Sequence, residues 1–378
     1  MTVPASRFSL FYALYFALLG CISPYWGLYL QNLNFSAHDI GILMALFGVT
    51  RIVAPNIWAA QASRFRGPVQ MIRVAGALTV ILFGLIFLAR DLLSVGFVMV
   101  AYGFFWAAML PQYEVLCMHS LGNQLDRYSR VRLWGSLGFI AAVLIVGLIL
   151  DVASILILPV IMLLFMVLIT ANAWRMPEVE SASRPAGQTP FRTLLRSRAV
   201  IGFILVTVLL QISFGPYYTF FSIFLRESGY SPTATGLIWS AGVTAEVVLF
   251  WQFGRIMHLF SWRHWILLSL TLTALRWILT GFVSHHIVWL LLLQTLHAFS
   301  FAVMHAVSMR YVQVLFPIEQ QARGQALYSS VGFGLGGAIG AWLSGLLWAD
   351  MGGTLVFVSA GLTALLAVPV AWWSLDRR

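Results

Sequence analysis

Apolar residues fill twelve long blocks of the chain, and short polar connections separate the blocks. A helix that rises about 1.5 Å per residue needs about 20 apolar residues to cross a hydrocarbon core of roughly 30 Å, and each block is close to that length. The pattern predicts spanning helices at Leu10–Leu30, Ile40–Ala60, Met71–Ala89, Leu93–Cys117, Leu133–Leu150, Ile155–Trp174, Ala199–Leu225, Ala234–Phe253, Trp265–Val283, Ile287–Met309, Gln325–Trp348 and Leu355–Trp373.

The composition agrees with a chain that lies in a bilayer. Hydrophobic residues make up 61% of the 378 residues and charged residues 9%, whereas an ordinary soluble domain carries roughly 25% charged residues. So few charges cannot cover a water-soluble surface, but lipid solvates an apolar one. The sequence therefore predicts an all-α integral membrane protein.

The formal net charge of +10 would suit a nucleic-acid partner, but the positions of the arginines exclude that interpretation. Arginines concentrate in alternate connections, as the positive-inside rule requires of cytoplasmic loops. We therefore expect a multi-pass protein of the bacterial inner membrane with both termini in the cytoplasm. The predicted cytoplasmic set is Arg7, Arg64, Arg66, Arg73, Arg127, Arg130, Arg132, Arg175, Arg184, Arg192, Arg196, Arg198, Arg255, Arg263, Arg310, Arg323, Arg377 and Arg378, and the opposite face has Arg90 and Arg226.

Two halves of the chain resemble each other on either side of one long polar stretch. Ser36–Gly48 is similar to Ser231–Val243, and Leu133–Phe139 is similar to Leu327–Phe333. Repeated segments at matching places indicate an internal duplication. The sequence predicts a six-helix bundle at 1–174, a cytoplasmic linker at 175–198 and a second, pseudo-symmetric six-helix bundle at 199–378.

Charged residues in the apolar blocks of the first half are the first candidates for chemistry. A charge at the centre of a bilayer costs about 2.5–3.5 kcal/mol on insertion scales, so it needs a partner or a water-filled cavity. Arg51 and Glu114 lie within spans two and four, and Arg132 lies at the start of span five. Trp134 belongs to the repeated segment Leu133–Phe139, and Tyr25 belongs to a third repeat, in which Pro24–Trp26 is similar to Pro216–Tyr218. We predict that these five bind substrate; a static Glu114–Arg132 pair that holds two helices together is the alternative.

Glu246, Arg276 and His297 form the corresponding set in the second half. An isolated carboxylate among apolar residues suits a proton carrier, because burial favours its neutral form and a nearby arginine favours its charged form. Histidine exchanges protons near neutral pH. The three residues are predicted to couple transport to protons; a structural ion pair between Glu246 and Arg276 is the alternative.

Other kinds of site find no support in the chain. Cys21 and Cys117 lie in predicted spans without a CxxC or His-rich neighbourhood, so no metal and no cofactor is expected. The chain contains no lysine, and a nucleotide-binding P-loop needs one. The driving force is therefore expected to be an ion gradient, with H⁺ as the coupling ion.

The residues of the predicted site resemble a known family. Gln294–Ser300, Glu246 and Arg276 are similar to the proton-coupling residues of lactose permease type oligosaccharide:proton symporters of the major facilitator superfamily, and Glu114 and Arg132 are similar to their sugar-binding pair. One departure is Ser300, where that family has a second proton-carrying carboxylate. The resemblance implies a substrate site between two halves of six helices.

A closer resemblance is to the 3-phenylpropionic acid transporter branch of the same superfamily. Asp126–Ser136 and Ala245–Val248 carry it, together with Arg51, Arg276 and the span-ten histidines His297 and His305. It implies a monomeric secondary transporter for proton-coupled uptake of a small organic solute, an aromatic carboxylate such as 3-phenylpropionate. A proton-coupled sugar or nucleoside symporter stays open, and a membrane-embedded transferase is the alternative of another class.

Overall fold

The computed structural model describes residues 5–61, 64–121, 125–177 and 191–375. These residues are almost entirely helical, and no strand occurs among them. Eleven of the described helices are long and apolar enough to cross a membrane. They are α1 Ala5–Asn32, α2 Ala37–Ala60, α3 Pro68–Phe87, α4 Leu92–Met118, α5 Arg127–Val152, α6 Ile155–Trp174, α7 Arg198–Glu227, α8 Pro232–Leu259, α9 Trp262–Phe282, α10 Ile287–Leu315 and α11 Ile318–Ser374.

The first ten helices match predicted spans one to ten, and α11 combines the last two. Helix α11 is 57 residues long and contains Gly352, whose φ of 72° and ψ of 164° interrupt the helix. Several helices extend beyond the apolar blocks, because polar residues at their ends also adopt helical geometry. Most of the predicted linker lies outside the described residues.

The chain divides into two compact units. The first comprises Met1–Ser183 with Ser231–Leu237, and the second comprises Arg184–Tyr230 with Ile238–Arg378. In the first unit α1 packs against α5 and α6, α3 packs against α4 and α6, and α2 packs against α4. In the second unit α11 packs against α7 and α9, and α9 also packs against α10.

Matching local contacts recur in the two repeated segments of the chain. Ser36 begins α2 with a capping box: its Oγ accepts from the backbone N–H of Asp39, and Asp39 accepts from the Ser36 N–H, each at 3.1 Å. Ser231 precedes α8, and its Oγ accepts from Ala234 N–H at 3.2 Å. A serine in the repeated segment therefore starts the corresponding helix twice.

A second recurring contact joins an arginine to the end of another helix. Arg73 of α3 donates from Nε to the carbonyl of Ala173 at 3.2 Å and lies over Trp174. Arg263 of α9 donates from Nη1 to the carbonyl of Trp372 at 3.3 Å and lies over that ring. Each arginine donates to a carbonyl in the last turn of another helix, where cations interact favourably with the helix end.

Candidate functional site

Glu114 of α4 and Arg132 of α5 come close enough to interact electrostatically. The Arg132 Cζ lies 4.1 Å from the ring centroid of Phe16 and 5.6 Å from that of Tyr12. Gly135 makes this arrangement possible, since a Cβ there would lie 2.9 Å from Arg132 Nη1 and 2.9 Å from the Phe16 ring. The structure thus brings the predicted pair together on an aromatic surface that α1 provides.

Two tyrosines join this pair that were not predicted from the sequence. The Arg132 Cζ lies 5.6 Å from the ring centroid of Tyr12, and the ring centroids of Tyr12 and Tyr128 are 6.5 Å apart in an edge-to-face arrangement. Arg132, Glu114 and the two phenols therefore form one polar cluster in the first unit, which we call the Glu114 cluster.

Arg51 of α2 lies beside a column of stacked rings. Its Cζ is 5.4 Å from the centroid of Phe47 and 5.9 Å from that of Trp106. Trp106 stacks on Tyr15 at 4.8 Å and on Phe47 at 5.8 Å, with interplanar angles of 12° and 17°. Arg51 is exposed, and no described carboxylate lies within ion-pairing distance of it. The first unit therefore presents an accessible cation next to aromatic rings.

Tyr15 connects the two groups of the first unit. It is buried, and its ring lies 4.8 Å from that of Trp106, beside Arg51, and 5.8 Å from that of Phe16, beside Arg132. The ring of Tyr102 lies 5.5 Å from that of Phe47. The buried Tyr102 hydroxyl and Trp106 Nε1 have no hydrogen-bond partner among the described residues.

The remaining two predicted substrate-binding residues lie in different surroundings. Tyr25 is completely buried, and its hydroxyl donates to the carbonyl of Val143 at 2.7 Å, which joins α1 to α5. Trp134 is 51% exposed on α5. The structure brings neither into a direct contact with Glu114, Arg132 or Arg51 among the contacts of the described residues, so their substrate roles stay predictions.

Arg276 of α9 is the centre of the charged group in the second unit. It is completely buried; Nη2 donates to Gln294 Oε1 at 2.7 Å, and Nη1 contacts His297 Nδ1 at 3.0 Å. Its Cζ also lies 4.5 Å from the Tyr217 ring centroid and 4.2 Å from that of Trp277. The guanidinium is thus held by an amide, an imidazole and two aromatic rings.

His297 links Arg276 to Glu246. An arginine can only donate hydrogen bonds, so His297 Nδ1 must accept, and the imidazole proton is then on Nε2. His297 Nε2 faces Glu246 Oε2 at 3.6 Å. The three residues that were predicted to couple transport to protons therefore form one line: Arg276, His297, Glu246.

Ser300 has a backbone role next to this line. Its hydroxyl donates to the carbonyl of Leu296 at 3.1 Å. The helix is π-helical over Ala298–Val303, directly after His297, and such turns frequently occur at functional sites. Ser300 is buried and offers no carboxylate, so Glu246 is the acidic residue beside His297 and Arg276.

Gln294 and Tyr217 belong to this group but were not among the predicted site residues, although Gln294 begins the run Gln294–Ser300 that carries the family resemblance. Gln294 is completely buried, and its Oε1 also accepts from the Tyr217 hydroxyl at 3.2 Å. One signal was available, because an amide three residues before His297 lies on the same face of a helix. Within the described residues, no three His, Cys, Asp or Glu side chains form a group that could hold a metal ion.

Comparison with known proteins reveals relatives along the full length of the chain. The chain is 28% identical over 374 residues to a "Probable 3-phenylpropionic acid transporter" of Escherichia coli (strain K12), covering 98% of this chain and 97% of the relative. It is also 28% identical over 347 residues to a "Maltose permease" of Geobacillus stearothermophilus, covering 90% and 86% of the two chains.

Solved structures give the same fold. A point mutant of the nucleoside transporter NupG superposes with a TM-score of 0.88 at 17% identity, covering 98% of this chain and 100% of the other. The model of the MFS_1 like family matches residues 5–359. With its apolar helices and its membrane-transporter relatives, the chain is a secondary transporter of the major facilitator type and belongs to the MFS_1 like family.

Proposed function

We propose that this transporter takes up a small aromatic carboxylate, such as 3-phenylpropionate, together with protons. Substrate contacts are assigned to Arg51, Glu114 and Arg132, with Tyr25 and Trp134 as further candidates. Proton coupling is assigned to the line of Arg276, His297 and Glu246.

The observation that carries the proposal is the setting of Arg51. This guanidinium lies over Phe47 and Trp106 without a described carboxylate to neutralise it. A carboxylate with an attached ring supplies both missing partners: two oxygens for the fork of an arginine, and an apolar surface for the aromatic column. The curated relative named for 3-phenylpropionic acid supports this substrate class.

Glu246 supports the choice of H⁺ as the coupling ion. It is the acidic residue next to His297 and Arg276, and its side chain is 15% exposed. Protonation of Glu246 removes the negative charge at the end of the line, and deprotonation restores it. Proton coupling requires a group that changes its charge inside the protein and thereby changes how well a nearby buried charge is compensated. Glu246 can do this for Arg276.

A proton-coupled sugar symporter is the second candidate. The relative named as a maltose permease favours it, and Glu114 with Arg132 matches the sugar-binding pair of the lactose permease resemblance. Neutral sugars would not need the charge of Arg51. The acid and amide forms of one ligand therefore separate the two candidates.

The topology completes the proposal. A helix of 57 residues is far longer than the about 20 residues of one span, and Gly352 interrupts it. We assign two spans to α11, which makes twelve spans in two six-helix bundles.

The asymmetry of the arginines supports cytoplasmic termini in a bacterial inner membrane. We assign a monomer as the working unit.

Ligand binding to purified protein tests the substrate class. We expect isothermal titration with 3-phenylpropionate to give saturable binding, and 3-phenylpropionamide to bind at least tenfold more weakly, because one charged hydrogen bond is worth about 1.5–3 kcal/mol. Maltose and a nucleoside serve as comparison ligands. Equal binding of acid and amide, or binding of maltose alone, would contradict an aromatic carboxylate substrate.

A further inference from the structure

The buried arginine of the second unit has an uncharged residue where a counter-ion would be expected. Among the described residues, Arg276 makes its hydrogen bonds to Gln294 and His297, and neither is a carboxylate. We propose that Gln294 is a positioning residue that fixes Arg276 without neutralising it, so that Glu246, through His297, is the counter-charge. This inference rests on the proposed proton coupling.

The contacts of Gln294 fix the direction of its amide. Oε1 accepts from Arg276 Nη2 at 2.7 Å and from the Tyr217 hydroxyl at 3.2 Å. Gln294 Nε2 and Arg276 Nε are both buried and have no hydrogen-bond partner among the described residues. One amide oxygen therefore serves two donors with its two lone pairs, while the amide nitrogen has no acceptor among the described residues. A carboxylate would accept more bonds here, so the amide at this position needs an explanation.

Helix α8 brings Glu246 to the same place. A Cβ on Gly242 would lie 3.3 Å from the Cβ of His297 and 3.5 Å from Gln294 Oε1, so α8 approaches α10 closely at this point. Glu246 follows Gly242 by four residues and therefore lies on the same face of α8. Its Oε2 is 3.6 Å from His297 Nε2.

A neutral residue at position 294 makes Glu246 matter to Arg276. A buried charge is costly unless a counter-charge compensates it, and neutral acceptors compensate only in part. With Gln294 in place, protonation of Glu246 leaves Arg276 uncompensated within this group, and deprotonation restores the balance. A permanent carboxylate at 294 would neutralise Arg276 in both states. Binding of a proton to Glu246 would then no longer change the state of Arg276.

Moving the carboxylate from position 246 to position 294 tests whether Glu246 provides the counter-charge of Arg276, and the melting temperature of the purified protein is the measurement. We expect Glu246→Gln to lower the Tm of the purified protein, and Gln294→Glu added to it to recover most of the loss, because the counter-charge returns next to Arg276. Gln211→Glu added to Glu246→Gln is the matched control: Gln211 is 6% exposed in α7 of the same unit, and the described contacts do not join it to Arg276. Equal recovery by both, or none by Gln294→Glu, would overturn the proposal.

A transport experiment tests the coupling part in the full chain. In vesicles loaded with 3-phenylpropionate, we expect Gln294→Glu to exchange substrate but to lose accumulation driven by a pH gradient. A merely structural role predicts instead that Gln294→Glu and the neutral Gln294→Met lower exchange and accumulation in the same proportion. If the ratio of accumulation to exchange is the same in Gln294→Glu as in the wild type, the proposed role of Gln294 is wrong, and the proposed function is unaffected. Failure of the wild type to take up protons with the substrate would overturn both.

Discussion

The arginines of the two units have opposite surroundings. In the first unit, Arg51 and Arg132 both lie over aromatic rings. Arg51 is exposed, and Arg132 interacts electrostatically with Glu114. In the second unit, Arg276 is completely buried and makes hydrogen bonds to His297 and Gln294. The first unit therefore leaves Arg51 accessible, whereas the second unit holds Arg276 in a buried hydrogen-bond network.

This difference suggests that the arginines of the two units have different roles, although the helices of the two units pack in a similar way. An arginine that lies over rings loses little when a carboxylate displaces its guanidinium, because an exposed cation–π contact is worth about 0.5–1 kcal/mol. An arginine with two hydrogen bonds in a buried site is costly to move. Under the proposed function, the substrate would bind at the accessible arginine of the first unit, and the proton would act on the buried arginine of the second.

The largest effect is expected at Arg51. Replacing Arg51 by Gln removes the exposed cation and should weaken binding of 3-phenylpropionate roughly 10- to 100-fold, the equivalent of about 1.5–3 kcal/mol for a charged hydrogen bond. Binding of the amide should stay the same. Isothermal titration of the two ligands measures both values.

Arg132 offers the matched comparison for that experiment. Its charge interacts with Glu114, so Arg132→Gln should weaken the acid and the amide together. If Arg51→Gln also weakens both ligands equally, then Arg51 does not read the carboxylate, and the contrast between the two arginines is wrong.

Close helix contacts in the two units should be equally sensitive to added volume. A Cβ on Gly138 would overlap the carbonyl of Ala13, and one on Gly215 would overlap the carbonyl of Gly340. We expect Gly138→Ala and Gly215→Ala each to lower the free energy of unfolding by about 1–3 kcal/mol. Thermal unfolding in detergent provides the measurement.

Gly337→Ala is the control for both glycine variants, since nothing lies within 4 Å of the added Cβ. It should leave stability unchanged or raise it slightly, because alanine favours a helix over glycine by up to about 1 kcal/mol. A loss as large as that of Gly138→Ala would mean that helix flexibility, and not close packing, sets the effect.

The smallest effect is expected at the helix starts. Ser36→Ala removes the Oγ that accepts from the Asp39 N–H and donates to the Asp39 carboxylate, while the Ser36 N–H can still donate to Asp39; the loss should cost about 1 kcal/mol of stability. Ser231→Ala removes the single bond to Ala234 and should cost less. Chemical denaturation of the two variants checks the order; the reverse order would show that the two repeats use their serines differently.

The hydropathy pattern was sufficient to predict where the helices lie, but it did not predict every helix boundary. Each predicted block became a helix because lipid leaves the backbone no alternative to internal hydrogen bonds. The last two blocks lie within α11, which is interrupted at Gly352, and no run of polar residues in the sequence marks that position. Within α11, Gly336 and Gly340 come close to the backbone of α7, whereas nothing lies within 4 Å of a Cβ at Gly337.

The charged members of the site were visible in the sequence because a charge is rare and costly in a span. Glu114 with Arg132, and Glu246 with His297 and Arg276, are brought together as predicted. Their uncharged neighbours were not visible. Rings and amides such as Trp106 and Gln294 are common in apolar helices, and their roles depend on helix rotation and rotamers, which a sequence pattern does not fix.

Proton movement through Glu246 is the most direct test of the proposed division between the units. Substrate-induced alkalinisation is measured around vesicles that contain wild-type protein or the Glu246→Gln variant, after addition of 3-phenylpropionate. We predict alkalinisation with the wild type and none with Glu246→Gln, while the variant still exchanges labelled substrate. His297→Gln should show a milder defect. Alkalinisation by Glu246→Gln at the wild-type rate would contradict the account, because the proton would then pass through another group.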